Sequence, residues 1–342
     1  MSGQLGDRSM RGERVEAAAG SALARLRDEV SSRADAIRVA CVWEATAPKV
    51  GNVHPGASFD DCDVEDFKRA GHAVAPILAG ERDGERDGER DGERDGERDG
   101  ERDGERDGER DGERDGERDQ ERHAKDGVGS RILEAIRATR QVTRANVNLG
   151  IVLLIGPMAA AEDRGGLGDV LDRLTPEDGR QVYEAIRLAN PGGMRSGEVE
   201  PSRDVTRASG EGIDLIAAMK EARNRDRIAR QYADRFCDLL DNVVPTVATE
   251  LVRHTDVGEG IVAAQMRLLA TEPDSLILRK CGPQVAGEVR RRAASCWDSH
   301  GGLDPARVAR LDRWLRADGN RRNPGTTADL IAAALFWLLR PA

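Results

Sequence analysis

Carboxylates, amides and cations able to bind or activate a phosphorylated substrate fall into five short clusters along this chain. The first, Glu44-x-x-x-Pro48-Lys49-x-Gly51-Asn52, sets a lysine in a glycine-bearing turn. There an ammonium can meet phosphate as a point charge and backbone N–H groups near Gly51 can add donors; an ordinary exposed turn fits the spacing equally well. The second, Asp60-Asp61-x-Asp63-x-x-Asp66, is dense enough in carboxylates to hold a magnesium ion that also grips phosphate oxygens. Helix capping with first-turn acids is the competing reading, and on spacing alone the commoner one. The third, Asn146-x-Asn148-Leu149-Gly150, places two amides at the mouth of an apolar run, suited to a sugar or base, or to an N-cap. The fourth is Asp274-Ser275-x-x-x-Arg279-x-x-Gly282, and the fifth Asn323-Pro324-Gly325-x-x-Ala328-Asp329, whose aspartate sits in the first turn of another apolar run. No Walker P-loop, H-E-x-x-H or G-x-S-x-G pattern accompanies them.

These clusters need elements to hold them, and the pattern of the chain is helical. Residues 14–43 carry apolar side chains at helical spacing, and a second helix is expected from about Asp63. The stretch Leu149–Ala161 is apolar all round, which predicts a central buried helix. Thr175-Pro176-Glu177-Asp178 reads as a cap, a first-turn proline and two acids favoured by the helix dipole, in a helix ending at Asn190-Pro191-Gly192-Gly193. Further helices are expected from about Gly212 into the 230s, over Val243–His254 and Gly260–Ala270, from Asp304-Pro305 to Gly319, and from Thr326 to the C-terminus. Period-two alternation is missing throughout, so the fold class is all-α: one domain over residues 13–342, with a loose tail at 1–12.

That domain is interrupted at residues 80–126 by repeats of Glu-Arg-Asp-Gly. Glycine at every fourth position and no apolar side chain to bury leave such a segment nothing to offset its ordering entropy, so disorder is expected. From Glu81 to Gln120 it holds ten Glu, ten Asp and ten Arg, which is the whole of the net charge of −10. The remainder balances at 43 basic and 43 acidic residues, giving no bulk charge to draw the body to nucleic acid or an anionic membrane. Five widely spaced cysteines without a C-x-x-C pair argue against a disulfide framework or zinc site and for a reducing, cytoplasmic setting. No apolar run reaches the roughly 20 residues a membrane span needs. Oligomeric state is not legible.

Taken in order, the segments CVWEATAPKVGNVHP, SFDDCDVEDF, TRANVNLGIVLL, DSLILRKCG and RNPGTTADLIAAALF resemble the triphosphoribosyl-dephospho-coenzyme A synthase family, over residues 38–339 outside the tract. The resemblance implies an all-helical transferase that takes ATP as co-substrate, with magnesium. It cleaves adenine from the ribose and joins the triphosphoribosyl group to the 2′-hydroxyl of dephospho-coenzyme A. It also implies roles: Lys49 and Arg279 for phosphate, with Gly51, Asn52 and Asn323 nearby in substrate binding; Asp60, Asp61 and Asp63 for magnesium; Asn146 and Asn148 for ribose; Glu44, Asp274 or Asp329 as base. Better-known members read Pro-Lys-Pro-Gly where Val50 stands here, and Asn-Thr-His-Lys-Gly where this chain has Asn146-Val147-Asn148-Leu149-Gly150. This version is similar to a divergent branch, for which another acceptor, such as a pterin, is the rival. A non-catalytic helical nucleotide-binding protein is the alternative outside enzymology.

Overall fold

The computed structural model describes residues 20–81, 127–189 and 213–341. The expected N-terminal tail, the repeat tract beyond Glu81 and the expected helix end at Asn190–Gly193 lie outside them. Every regular element among the described residues is a helix, as the all-α reading requires, with two isolated β-bridges at His54–Ala57 and Trp297–Leu303. In chain order these are α1 (Ala22–Asp28), α2 (Arg33–Thr46), α3 (Val64–Ala79), α4 (Val128–Val142), α5 (Leu149–Ala159), α6 (Arg164–Asp172), α7 (Pro176–Ala189) and α8 (Leu215–Ala222). There follow α9 (Arg227–Ala233), a π-helical turn at Leu239–Val243, α10 (Val244–Arg253), α11 (Val257–Thr271), α12 (Ser275–Cys281), α13 (Pro283–Ser295), α14 (Pro305–Arg316) and α15 (Gly325–Leu339). None of them is long and apolar enough to cross a membrane.

Two expected helices are each split. Helical spacing runs from residue 14 to 43, yet α1 stops at Asp28 and α2 begins only at Arg33. Ser31 and Ser32 lie in the gap, and serine side chains compete for backbone bonds in a way apolar periodicity cannot register. The segment from Gly212 into the 230s is likewise broken. Asp226 accepts from the N–H groups of Ile228 (2.8 Å) and Ala229 (3.3 Å), capping a fresh start for α9.

The described residues form two compact units. The first comprises 20–32, 39–64 and 237–341. Helix α11 is its hub and packs against α1, α10, α13 and α15. The core gathers Met266 and Leu269 of α11, Ile277 of α12, Ala286, Val289 and Ala293 of α13, and Leu311 and Leu315 of α14 around Val50 from the loop after α2. Helix α15 is apolar on nearly every face and almost wholly buried, which is why its sequence shows no polar stripe.

The second unit comprises 33–38, 65–81, 127–189 and 213–236. Every residue of α5 in it is buried, as its all-round apolarity predicts. Pro157 lies inside that helix and has no N–H to give the carbonyl four residues back, Leu153. The buried Tyr232 hydroxyl donates to that carbonyl at 2.6 Å, so the vacancy made by proline is filled by a side chain from α9. Helices α4 and α7 meet at Gly129, where a β-carbon would lie 2.5 Å from the Asp178 α-carbon. The same aspartate accepts from the Gly129 N–H at 2.8 Å, capping α4 from its neighbour.

Candidate active site

Most of the sequence clusters lie in the first unit, where hydrogen bonds join the first to the fifth and the fourth to the fifth. Helix α2 runs into a loop at residues 47–63 that doubles back over α11 and α14. Gly51 turns it with φ +70°, and a β-carbon at that position would come within 2.9 Å of Leu315, so conformation and space both require glycine.

Three side chains pin the turn. The buried Gln265 amide of α11 pairs with the Val50 backbone, accepting from its N–H at 2.9 Å and donating to its carbonyl at 3.0 Å. Asp312 accepts from the Gly51 N–H at 2.8 Å and from Arg316 Nε at 2.9 Å. Arg316 in turn donates to the Asn52 carbonyl at 2.6 Å. Asn52 then reaches across the chain: its Nδ2 donates to Asn323 Oδ1 at 2.7 Å, joining the first cluster to the fifth.

Lys49 and Glu44 occupy the inside of this loop. Lys49 is fully buried, its Nζ 2.9 Å from Glu44 Oε1 and also donating to the Glu44 carbonyl oxygen. The sequence suggested a cation turned toward phosphate. The structure shows an ammonium whose charge is balanced within the protein by a carboxylate almost as buried. Cys41 sits one helical turn before Glu44; burial first, and then the charges of Glu44 and Asp329, push its thiol up to about 12. The charges of Glu44 and Asp329, two of the three candidate bases, thus both reach this one buried thiol.

Asp274, the third candidate base, is fully committed to holding helices. One oxygen accepts from the Leu276 and Ile277 N–H groups, capping α12, and the other from the Thr327 N–H (2.7 Å) and hydroxyl (2.8 Å), fixing the first turn of α15. Burial raises its carboxyl above the ordinary aspartate range, and these four donors oppose the rise. A hydrogen bond of 3.0 Å between Ser275 and Thr326 reinforces the junction, and Gly325 leaves room for Leu276, which a β-carbon would meet at 2.7 Å.

At the far end of α12, Arg279 is exposed and Lys280 half-buried. Burial and the neighbouring Arg279 lower the Lys280 ammonium, and Cys281, Asp61 and Asp274 partly restore it. Arg321 donates to the Lys280 carbonyl at 3.1 Å, bringing a third cation to this edge. Asp60, Asp61 and Asp63 are exposed, and among the described residues no three His, Cys, Asp or Glu side chains assemble into a ligand set for a metal ion.

Asn146 and Asn148 belong to the second unit. Asn146 is exposed, whereas Asn148 is buried and donates to the Thr139 hydroxyl at 3.0 Å, which itself donates to the Ala135 carbonyl. Five residues of the candidate site went unremarked in the sequence: Gln265, Lys280, Asp312, Arg316 and Arg321. Gln265 left a trace, being the one amide in the apolar run IVAAQMRLLA. Asp312 and Arg316 sit four apart on a helix crowded with arginine, where nothing singles them out.

A family model described as CitG, ATP:dephospho-CoA triphosphoribosyl transferase, matches residues 30–341 of the chain. Among solved structures, one described as a triphosphoribosyl-dephospho-CoA synthase from Archaeoglobus fulgidus is similar, at 24% sequence identity and a TM-score of 0.49. The match covers 64% of this chain and 91% of that one. A comparison with curated proteins gave no match.

Proposed function

The chain belongs to the ATP:dephospho-CoA triphosphoribosyl transferase family, and from that premise we propose that its reaction is carried by the loop, amide and carboxylate constellation of the first unit. The reaction breaks the bond between adenine N9 and ribose C1′, and forms one between C1′ and the 2′-hydroxyl oxygen of dephospho-CoA. The hydroxyl proton goes to a base, and adenine leaves carrying a proton. An oxocarbenium-like carbon next to a triphosphate requires fixed negative charge near C1′ and positive charge near the phosphates.

The observation that carries the assignment is the hydrogen bond from Asn52 to Asn323, which joins two family segments 271 residues apart in one place. Glu44 and Asp329 suit the base and the stabiliser of positive charge, since both carboxylates bear on the Cys41 thiol. Lys49 holds the Glu44 carboxylate in position. Arg279, Lys280 and Arg321 supply a cationic edge for phosphate oxygens. Of the three exposed carboxylates Asp60, Asp61 and Asp63, Asp61 is the one whose charge reaches Lys280, and it would help to hold a magnesium ion brought in with the substrate phosphates, the usual manner for this cation. Such an ion would neutralise charge on the triphosphate. ATP as co-substrate supports a cytoplasmic setting.

Glu44→Gln and Asp329→Asn, followed by adenine release in single turnover, test the assignment. The base variant should lose on the order of 10²–10⁴-fold in rate with ATP affinity retained. Full rate in both would remove these carboxylates from the chemistry. The second reading, transfer to a different acceptor, is favoured by one observation: the segment Asn146-Val147-Asn148-Leu149-Gly150 offers no side-chain cation, and the Asn148 amide is held by Thr139. Adenine release that depends on a pterin and not on dephospho-CoA would establish it.

A further inference from the structure

The amide relay running through the site has a fixed polarity, and that polarity can be read without ambiguity. An amide side chain can ordinarily be turned over, exchanging its oxygen and nitrogen. Here the relay starts at a backbone N–H, which is only ever a donor. Val50 N lies 2.9 Å from the Gln265 side chain, so the atom facing it is Oε1. Gln265 Nε2 must then face the Val50 carbonyl at 3.0 Å and Asn52 at 2.7 Å, which uses both of its hydrogens. The Asn52 atom receiving that hydrogen is Oδ1, leaving Nδ2 to donate to Asn323 Oδ1 at 2.7 Å. Asn323 is thereby left with Nδ2 as its outward group. Among the described residues that nitrogen has no acceptor, and it is not among the buried polar atoms lacking partners, so it is open to solvent. Gln265 is fully buried and Asn52 is 6% exposed, so the first two links are shielded from competing water.

We infer that Asn323 is a specificity residue that turns its NH2 donors toward the substrate, its oxygen being held inward by Asn52, and that Gln265 and Asn52 are the positioning residues that set this direction. The group it selects is one that only accepts hydrogen bonds, and the surroundings make that group a phosphate oxygen. Arg321 stands two residues before Asn323 and is tied to the backbone of Lys280 beside Arg279, whereas the Arg322 guanidinium is held over Trp314 and near Asp318. The inference rests on the reading that this site binds ATP, and it adds which atom of the protein meets which class of atom in the ligand.

The experiment measures binding of inorganic tripolyphosphate and, separately, adenosine to the full chain by calorimetry. Asn323→Asp keeps an oxygen for Asn52 Nδ2 and replaces only the outward nitrogen, by an anionic oxygen. Tripolyphosphate affinity should fall at least tenfold, more than in Asn323→Ala, with adenosine affinity unchanged. Asn52→Asp leaves two oxygens between Gln265 and Asn323, forcing Asn323 to turn its nitrogen inward and its oxygen outward. It should weaken tripolyphosphate binding in the same direction, although residue 323 is untouched. In turnover both substitutions should raise KM for ATP by more than they lower kcat, a split that a loss of fold would not produce. Where thermal unfolding shows that an aspartate variant does not fold, Asn323→Ala and Asn323→Ser supply the comparison, since both remove the outward amide donor.

Equal tripolyphosphate affinity in the wild type and the Asn323 variants overturns the inference and leaves the ATP-site reading standing. Loss of adenosine binding in place of tripolyphosphate binding overturns the phosphate assignment. A wild-type chain that binds neither ATP nor tripolyphosphate overturns the site reading and the inference with it.

Discussion

Replacing Lys49 by alanine removes one half of a buried ion pair and leaves the other half in place. The Lys49 side chain is 0% exposed and that of Glu44 4%, so water cannot take over the role of the missing ammonium. Stripping one partner from a pair this deep costs about 3–5 kcal/mol, because an uncompensated carboxylate must either stay buried or take up a proton. With a urea slope of about 3 kcal/mol per M, the unfolding midpoint of the first unit should drop by roughly 1–2 M. The paired substitution Lys49→Met with Glu44→Gln removes both charges and keeps the volume, and should recover most of the loss. Urea titration followed by far-UV circular dichroism, on both variants and the wild type, decides the matter. A loss below about 1 kcal/mol in Lys49→Ala would mean that Glu44 reaches solvent. The account of Lys49 as a holder of Glu44 would then be refuted, and the simpler view of an exposed phosphate-binding lysine would return.

Other consequences follow from single contacts. Tyr232→Phe leaves the Leu153 carbonyl without the donor that Pro157 denies it, and should cost about 1–3 kcal/mol by the same titration; a neutral result would mean water enters α5. Gly51→Ala meets both a left-handed backbone and the Leu315 side chain, and should cost about 2–4 kcal/mol and weaken ATP binding; a stable variant with full affinity would remove the tight turn from the argument. His54 accepts from the Gly56 N–H at 3.1 Å through Nδ1, which requires the neutral ring, and burial followed by the Arg316 charge lowers its pKa. The unfolded chain therefore takes up the proton first as pH falls. The contribution of His54 is complete above about pH 6.5 and is lost on acidification toward the lowered folded value. His54→Gln should flatten that part of the stability profile, and an unchanged profile would show that the ring titrates normally.

Much of this architecture is legible in the sequence where one physical signal dominates. Helices α5 and α15 announce themselves because they are apolar on all faces, and α7 and α14 because a cap and a first-turn proline mark their starts. Helix α6 is hidden by three glycines in RGGLGDVLD, which sequence propensity counts against a helix and which packing overrides. The break between α1 and α2 is hidden because Val30 and Ile37 continue the apolar spacing through it.

The same division holds at the candidate site. Glu44, Asn52, Asn323 and Asp329 stand out in the sequence because their residue types are unusual beside apolar helices. The burial of Lys49 does not, since a lysine in a glycine-bearing loop is ordinarily solvated and only the fold brings Glu44 over it. Asp274 shows the converse: an acid before a helix that the sequence allows as a base, and that four donated hydrogen bonds commit to joining α12 to α15.

The most direct test of the central claim is to incubate the protein with ATP, magnesium and dephospho-CoA and to measure free adenine together with the mass of the nucleotide product. The account predicts one adenine released per triphosphoribosyl-dephospho-CoA formed, dependent on both substrates and abolished or slowed at least 100-fold by Glu44→Gln or Asp329→Asn. Release of phosphate or pyrophosphate without adenine would contradict it, as would adenine release that proceeds undiminished in both variants.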